Sequence, residues 1–359
     1  MSAPVLYVAI TNHGFGHATR AAAVAATVQV LCPEIEIILA TTAPEWLLAS
    51  SLAGPFTLRS QALDVGVLQA DSLTMDKAAT LAALHRIRQD AAALVAEEVA
   101  FLTSAGVGLV LADIPPLAVA VAHGAGVPCW MMSNFGWDFI YRPWGGEFVA
   151  MADWIQTQFR HCDRLFRLPF HEGMAAFPRV TDVGLTGGTP RYDEDHLRSR
   201  WRLQAPIEKT VLLTFGGLGL AQIPYQGLRH FPDWQFITFD RQAPALDNIR
   251  IVDDPTYRPV DLMPLCGRIV SKPGYSTFSE ACRLGIPIIT VTREDFAESP
   301  VMLAALQDHH PHQILTPDRF FRGDWSFLRD LPTLPRTPQR FDLEGNQAIA
   351  QAVVNFLTV

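Results

Sequence analysis

The stretch Gly267-Arg268-Ile269-Val270-Ser271-Lys272-Pro273-Gly274-Tyr275-Ser276-Thr277-Phe278-Ser279-Glu280 reads as a strand, a glycine turn and the start of a helix. Arg268 to Val270 is a short aliphatic run. After the Pro-Gly break, Phe278, Ala281 and Leu284 recur at helical spacing. Gly285 is suited to a left-handed helix cap, and Pro287 prevents the helix from continuing into the next run, Ile288 to Val291. A strand, a crossover helix and a second strand make a βαβ unit.

The pattern occurs twice. Gly108 to Met132 aligns with Gly267 to Val291 without a gap, each position 159 residues before its counterpart, with Gly108, Ala122, Gly126 and Pro128 matching Gly267, Ala281, Gly285 and Pro287. Around these copies lie further apolar runs: Val5 to Ile10, Ile35 to Ala40, Val107 to Leu111 and Cys129 to Met132 in the first half. Val211 to Phe215 and Gln235 to Phe239 follow in the second. Runs that are apolar on both faces and separated by Ala-rich helical segments predict parallel sheets covered by helices on both sides, an α/β fold. Glycines and a proline cluster between Asp182 and Tyr192. That cluster predicts two Rossmann-like domains, residues 1–185 and 186–343, with a terminal helix in 344–359 that packs back on the first. A length of 359 residues suits two cores.

The net charge of -8, from 28 basic and 36 acidic residues without a basic run, offers no footprint for nucleic acid or an anionic membrane. Five scattered cysteines with no CxxC pair read as buried free thiols. No apolar run is long enough for a signal segment or a span, so a cytoplasmic protein is expected.

Three glycine loops follow predicted strands, where helix N-termini in open parallel sheets receive anionic ligands. In the loop at Lys272 to Glu280, Gly274 allows close backbone approach. Ser276 and Thr277 add hydroxyls, and Glu280, about a turn further on, can accept both hydroxyls of a ribose; a capped helix start is the structural alternative. Asn12-His13-Gly14-Phe15-Gly16-His17 lacks the third glycine of the dinucleotide fingerprint but presents two imidazoles suited to proton transfer near neutral pH. Phe215-Gly216-Gly217-Leu218-Gly219 is the third loop. Phe135, Trp137, Phe139, Tyr141 and Trp144 form an aromatic run around Asp138, whose carboxylate needs a partner in an apolar setting. Asp193-Glu194-Asp195 fits helix N-terminal charge better than a metal site, and His309, His310 and His312 fit a polar loop.

The order of these loops resembles GT-B glycosyltransferases, in which two Rossmann-like domains face each other across a cleft. Gly14-Phe15-Gly16-His17-Ala18-Thr19-Arg20, Ser133-Asn134-Phe135-Gly136-Trp137-Asp138 and Gly274-Tyr275-Ser276-Thr277 to Glu280 resemble the glycosyltransferase-like part of plant L-arabinokinases. The chain is also similar to cyanobacterial pteridine glycosyltransferases, such as UDP-glucose:tetrahydrobiopterin glucosyltransferase. These resemblances imply a UDP-sugar as co-substrate, with no metal or other cofactor, and a small aromatic acceptor, a pterin. They imply glucose as the hexose and retention of its α configuration.

The donor would be held by Gly16, Gly216, Gly217, Lys272, Gly274, Tyr275, Ser276, Thr277, Glu280, Arg293, Glu294 and Glu298. Phe15, Asn134, Trp137 and Tyr141 would meet the acceptor, and His13, His17 and Asp138 would act in catalysis. Two other functions share the expected fold: a UDP-sugar 2-epimerase, and a non-catalytic nucleotide-sugar sensor.

Overall fold

The computed structural model describes residues 3–359 except 72, 218 and 221. The chain divides into two compact units. Unit 1 comprises Met1–Gln69, Met75–Gly187 and Asp342–Val359; unit 2 comprises Ala70–Thr74 and Gly188–Phe341.

In unit 1, the described residues form one parallel sheet from β1 (Val5–Ile10), β2 (Glu36–Ala40), β3 (Thr57–Arg59), β4 (Val107–Asp113), β5 (Cys129–Ser133), β6 (Arg164–Arg167) and β7 (Val180–Asp182). The order is β3-β2-β1-β4-β5-β6-β7. The connecting helices are α1 (Gly16–Leu31), α2 (Glu45–Ala49), α3 (Lys77–Ser104), α4 (Leu117–Gly124), α5 (Trp137–Tyr141) and α6 (Glu147–Phe159). Every residue of β1 is buried, as a central strand covered on both faces requires. The Asp76 side chain caps α3 by accepting the Ala79 N–H at 2.9 Å. Near the other end of α3, buried Glu98 accepts from the Tyr7 hydroxyl at 2.7 Å and from Arg59 at 2.6 Å, tying the helix to β1 and β3.

Unit 2 repeats the design with β8 (Thr210–Thr214), β9 (Gln235–Thr238), β10 (Ile249–Ile251), β11 (Arg268–Ser271), β12 (Ile288–Val291) and β13 (His312–Leu315). Its order is β10-β9-β8-β11-β12-β13, again parallel throughout. The helices are α7 (Glu194–Arg200), α8 (Pro259–Leu262), α9 (Tyr275–Leu284), α10 (Glu298–His309) and α11 (Pro317–Phe321). Phe236, Phe320, Trp325 and Phe327 fill one side of the core. The aligned βαβ copies are β4-α4-β5 and β11-α9-β12. Gly126 (φ 74°) and Gly285 (φ 71°) take the left-handed conformation at the matching helix ends.

The last helix, α12 (Gly345–Leu357), returns to unit 1 and packs against α1. The segment leaving unit 1 and the segment re-entering it are bonded together. Leu185 N–H donates to Asp342 O at 2.7 Å, and Gly345 N–H to Leu185 O at 3.2 Å. The Asn346 amide accepts from Gly187 N–H and donates to Gly187 O, at 3.1 and 2.8 Å. A Cβ on Gly345 would lie 2.1 Å from Gly184 O, so only glycine lets the two segments approach this closely.

Among the described residues, no helix is long and apolar enough to cross a membrane, and the five cysteines are free thiols. Cys129, Cys162 and Cys266 are buried, whereas Cys32 and Cys282 are partly exposed. Asp193 caps α7 by accepting the His196 N–H at 3.0 Å, the helix-start role its sequence context suggested. The polar loop expected at His309, His310 and His312 is instead the end of α10 and the start of β13: His310 and His312 are buried and bond to the carbonyls of Ile286 and His310, at 2.7 and 2.9 Å.

Candidate functional site

Strand order locates the crevice in each sheet. In unit 1 the order reverses between β1 and β4, and in unit 2 between β8 and β11, so the loops leaving these strands diverge and open a ligand site. The β1 loop carries His13 and His17. β4 ends on Asp113, paired in register with Ile10. In unit 2 the β8 loop carries Gly216 and Gly217, and β11 leads into Lys272. Asp113 and Lys272 are the same position of the repeated βαβ unit, with opposite charges.

His17 lies in the first turn of α1 and is 7 % exposed. Its Nδ1 is 2.9 Å from Asp113 Oδ1. Arg20, one turn further along α1 and only 1 % exposed, grips the same carboxylate through Nε at 2.5 Å and Nη2 at 2.6 Å. Its remaining donors reach Asn134 Oδ1 at 2.7 Å and Ser133 Oγ at 3.1 Å. Burial works to raise the Asp113 pKa, but the adjoining Arg20 and His17 outweigh it and hold the carboxyl below its ordinary range.

Arg20 Nη2 also lies 3.0 Å from His17 Nδ1. Nη2 has two hydrogens, and Asp113 Oδ1 and Ser133 Oγ can take both. By this count we assign the His17 proton to Nδ1, donating to Asp113, which leaves the Nε2 lone pair available.

An aromatic wall surrounds the imidazole. The Phe135 and Trp137 ring centres are 5.6 and 6.1 Å from that of His17, and Trp137 stacks on Tyr141 at 5.7 Å. Trp137 and Tyr141, expected at the acceptor, are almost fully buried. Asn134 is buried too, and its amide serves Arg20 and the Phe170 carbonyl. It supports the site from behind. Phe15 packs edge-on against the exposed Trp46, with ring centres 5.8 Å apart.

His13 takes a different role from His17. Val67 N–H points at its Nδ1 from 3.2 Å, and its ring meets Trp137 edge-on at 5.2 Å. Gly66, at φ 64°, packs so closely that a Cβ would come 2.7 Å from His13 Cβ.

The sequence offered Asp138 as a catalytic residue. Asp138 sits in the first turn of α5, where burial raises its pKa and the Phe139 N–H opposes that shift. The carboxylates at His17 are Asp113, in direct contact, and Asp64, whose charge acts on the imidazole. Asp113 carried one sequence signal, its place at the end of a central strand opposite Lys272 in the repeat. Arg20 carried another, three residues after His17 on one helix face. Asp64 lies in a loop after an edge strand and carried none.

In unit 2 the two expected donor loops come together. Gly216, at φ 79°, approaches the Lys272 side chain so that a Cβ would lie 3.3 Å from Cε. A Cβ on Gly274 would lie 3.5 Å from Nζ. Lys272 makes no hydrogen bond or ion pair among the described residues. Burial, followed by the like charge of Arg293, brings its pKa down to about 7, with Glu298 opposing. Arg293 is buried with its guanidinium 3.9 Å from the Phe296 ring centre. Burial lowers it to about 10, against the pull of Glu298 and Asp71. Glu298 is buried at the start of α10, whereas Glu294 and Gly217 are exposed.

Gly274 is the N-cap of α9, and Tyr275, Ser276 and Thr277 form its first turn. The partial positive charge of that helix end adds to the lysine. Glu280, one turn on, is buried, and burial raises its pKa to about 7. Its Oε1 accepts the Gly188 N–H at 3.0 Å, while Arg283 donates to Gly188 O at 2.9 Å.

No protein-family model matches the chain. It is 29 % identical over 336 residues to L-arabinokinase of Arabidopsis thaliana, covering 88 % of this chain and 31 % of that protein. The chain thus spans about a third of the length of this curated relative. Among solved structures, the glycosyltransferase of kitacinnamycin superposes with a TM-score of 0.61 at 13 % identity, over 99 % of this chain and 100 % of that one. UGT2 of Phytolacca americana, complexed with UDP-2-fluoro-glucose and pterostilbene, gives 0.60 at 14 %, over 99 % and 90 %. The spinosyn forosaminyltransferase SpnP gives 0.57 at 15 %, over 100 % and 95 %. Two parallel sheets of seven and six strands, each with its switch-point crevice, give this chain the GT-B fold.

Proposed function

We propose that the chain is a glycosyltransferase that moves a hexose from a UDP-sugar to a hydroxyl of a small aromatic acceptor. The observation that carries this reading is the contact of His17 Nδ1 with Asp113 Oδ1, which turns the Nε2 lone pair into a base for that hydroxyl. The proton passes to Nε2, the acceptor oxygen bonds to the anomeric carbon, and the bond from that carbon to the diphosphate oxygen breaks. In unit 2, Lys272 and the N-terminus of α9 meet the charge developing on the departing UDP, and Glu280 takes the ribose. A lysine and a helix end fill that role in this reading without a bound metal.

Glucose as the hexose and a pterin such as tetrahydrobiopterin as the acceptor are the finer proposals that the sequence resemblance supports. A base aligned by a carboxylate favours in-line displacement and an inverted product over the retained configuration that the resemblance implies. Incubation with UDP-glucose and a panel of pterins and phenols, followed by UDP release, product mass and the anomeric proton coupling, tests each level. The proposal predicts UDP release that depends on the acceptor. Conversion of UDP-sugar without acceptor into its 2-epimer, or UDP binding without turnover on any acceptor, would overturn it.

A further inference from the structure

In the stretch Arg329-Asp330-Leu331-Pro332-Thr333-Leu334-Pro335-Arg336-Thr337-Pro338, a proline recurs at every third position. Proline fixes its own φ at about −65° and turns the residue before it to extended backbone. The repeat therefore favours polyproline II, a left-handed helix of about three residues per turn, each of whose edges collects every third residue. Residues 331–335 lie in no helix and no regular strand, and their one ladder contact is an isolated antiparallel bridge between Thr333 and His312.

The way the segment is seated leaves one edge bare. Thr333 donates to His312 O at 2.8 Å and accepts the His312 N–H at 3.0 Å, and the Arg336 N–H donates to Gln307 O at 3.0 Å. These anchors lie one polyproline turn apart on a single edge, held by the start of β13 and the last turn of α10. Leu331 and Leu334 share another edge and are 88 % and 75 % exposed, with Pro332 and Pro335 partly exposed beside them. One exposed leucine is ordinary on a protein surface. Two, spaced by one turn and each followed by a proline, form a pattern.

Charge gives the pattern a direction. Arg329, two residues before Leu331, is exposed, and its guanidinium makes no hydrogen bond or ion pair among the described residues; it lies 4.9 Å from the Phe231 ring centre. Asp330, by contrast, is paired with Arg319 at 2.7 Å. The segment thus presents an unanswered cation followed by two Leu-Pro pairs.

We infer that residues 329–335 are a docking segment for a partner domain that reads polyproline II ligands, with a groove of aromatic side chains for the two Leu-Pro pairs and a carboxylate at one end for Arg329, the chemistry of SH3 domains. The backbone is already extended and anchored, so little ordering entropy is lost on binding. The anchoring residues Thr333 and Arg336 lie on the edge that such a groove leaves uncovered. His312 begins β13, whereas the donor loops leave the carboxyl ends of β8 and β11, so a partner seated here leaves the candidate donor site open. The inference stands apart from the glycosyltransferase reading.

The test is calorimetric titration of the full chain with a purified SH3 domain that binds Arg-x-x-Pro-x-x-Pro peptides, with the mass of the chain in solution measured by sedimentation. Saturable one-to-one binding is expected. The double variant Leu331→Ser, Leu334→Ser should weaken it about tenfold or more, the loss expected when two buried leucine contacts are removed. Arg329→Glu should weaken it too. All three side chains are exposed, so the unfolding midpoint and UDP affinity should stay at their wild-type values. The inference is overturned by a wild type that shows no binding up to about 1 mM, or by binding that the double variant retains. A wild-type dimer that the double variant turns into a monomer would overturn it as well, because a second copy of the chain would then be the occupant. Loss of UDP binding by the wild type strikes the glycosyltransferase reading alone, so the two fail separately.

Discussion

His17 and Asp113, 96 residues apart in the chain, meet at 2.9 Å where β1 and β4 run side by side, and Arg20 completes a buried three-way contact. If His17 is the base, His17→Ala should lower kcat by roughly 100- to 10,000-fold with the donor KM nearly unchanged. Asp113→Asn should cost a comparable factor by releasing the Nδ1 proton assignment. Acceptor-dependent UDP release measures both; a His17→Ala enzyme of near wild-type kcat would remove the proposed base.

Arg20 also neutralises a charge sealed from water. Arg20→Met leaves Asp113 without its cation and should cost about 3–5 kcal/mol, measured by urea unfolding. The folded Asp113 pKa is depressed, so its stabilisation is present above the unfolded carboxylate range and is lost as pH falls through the folded value. The gap between wild type and variant should therefore narrow in acid.

Lys272 should report on the donor. Its pKa is lowered to about 7 by burial and Arg293, so the free protein at pH 8 holds it largely neutral. A diphosphate beside Nζ would restore the charge. UDP binding at pH 8 should then take up a proton, seen as a dependence of the binding enthalpy on buffer ionisation. Lys272→Met should abolish the uptake and weaken UDP. Stability of the free protein should rise with pH between about 7 and 10.5 on account of this group, because the unfolded chain binds the additional proton there.

Glu280, raised to about 7 chiefly by burial, has the opposite sign: the folded state holds the additional proton between about 4.5 and 7, and this group's contribution to stability falls as pH rises through that window. Glu280→Ala should weaken UDP markedly in a folded protein, read by titration calorimetry. Unchanged affinity would remove Glu280 from the ribose.

Gly66→Ala combines a left-handed backbone with a Cβ 2.7 Å from His13 Cβ. It should cost about 1–3 kcal/mol, visible as a lowered melting temperature. A neutral change would show that the His13 loop can give way.

The central strands were legible because burial on both faces leaves an unbroken apolar run, as in β1, β8 and β12. The edge strands β3, β7 and β10 were not, for each is three residues long and partly exposed, with no apolar run to mark it. The donor loops were readable because glycine, lysine and helix start follow one another in a single local segment. The pairing of Asp113 with His17 was not, because register between β1 and β4 decides it and no local spacing encodes it. Asp138 drew attention as a carboxylate among aromatics, yet the Asp64 loop, 73 residues before Trp137, supplies the carboxylate that the Trp137 indole meets.

Gly184 to Gly187 and Asp342 to Asn346 are bonded into a double thread, since unit 1 is made of sequence from both ends of the chain. One proteolytic nick at either crossing therefore cannot free unit 2, and a stop codon placed before Asp342 strips α12 from α1 instead of trimming a tail. Expression of unit 1 alone calls for a short linker joining residue 187 directly to residue 342.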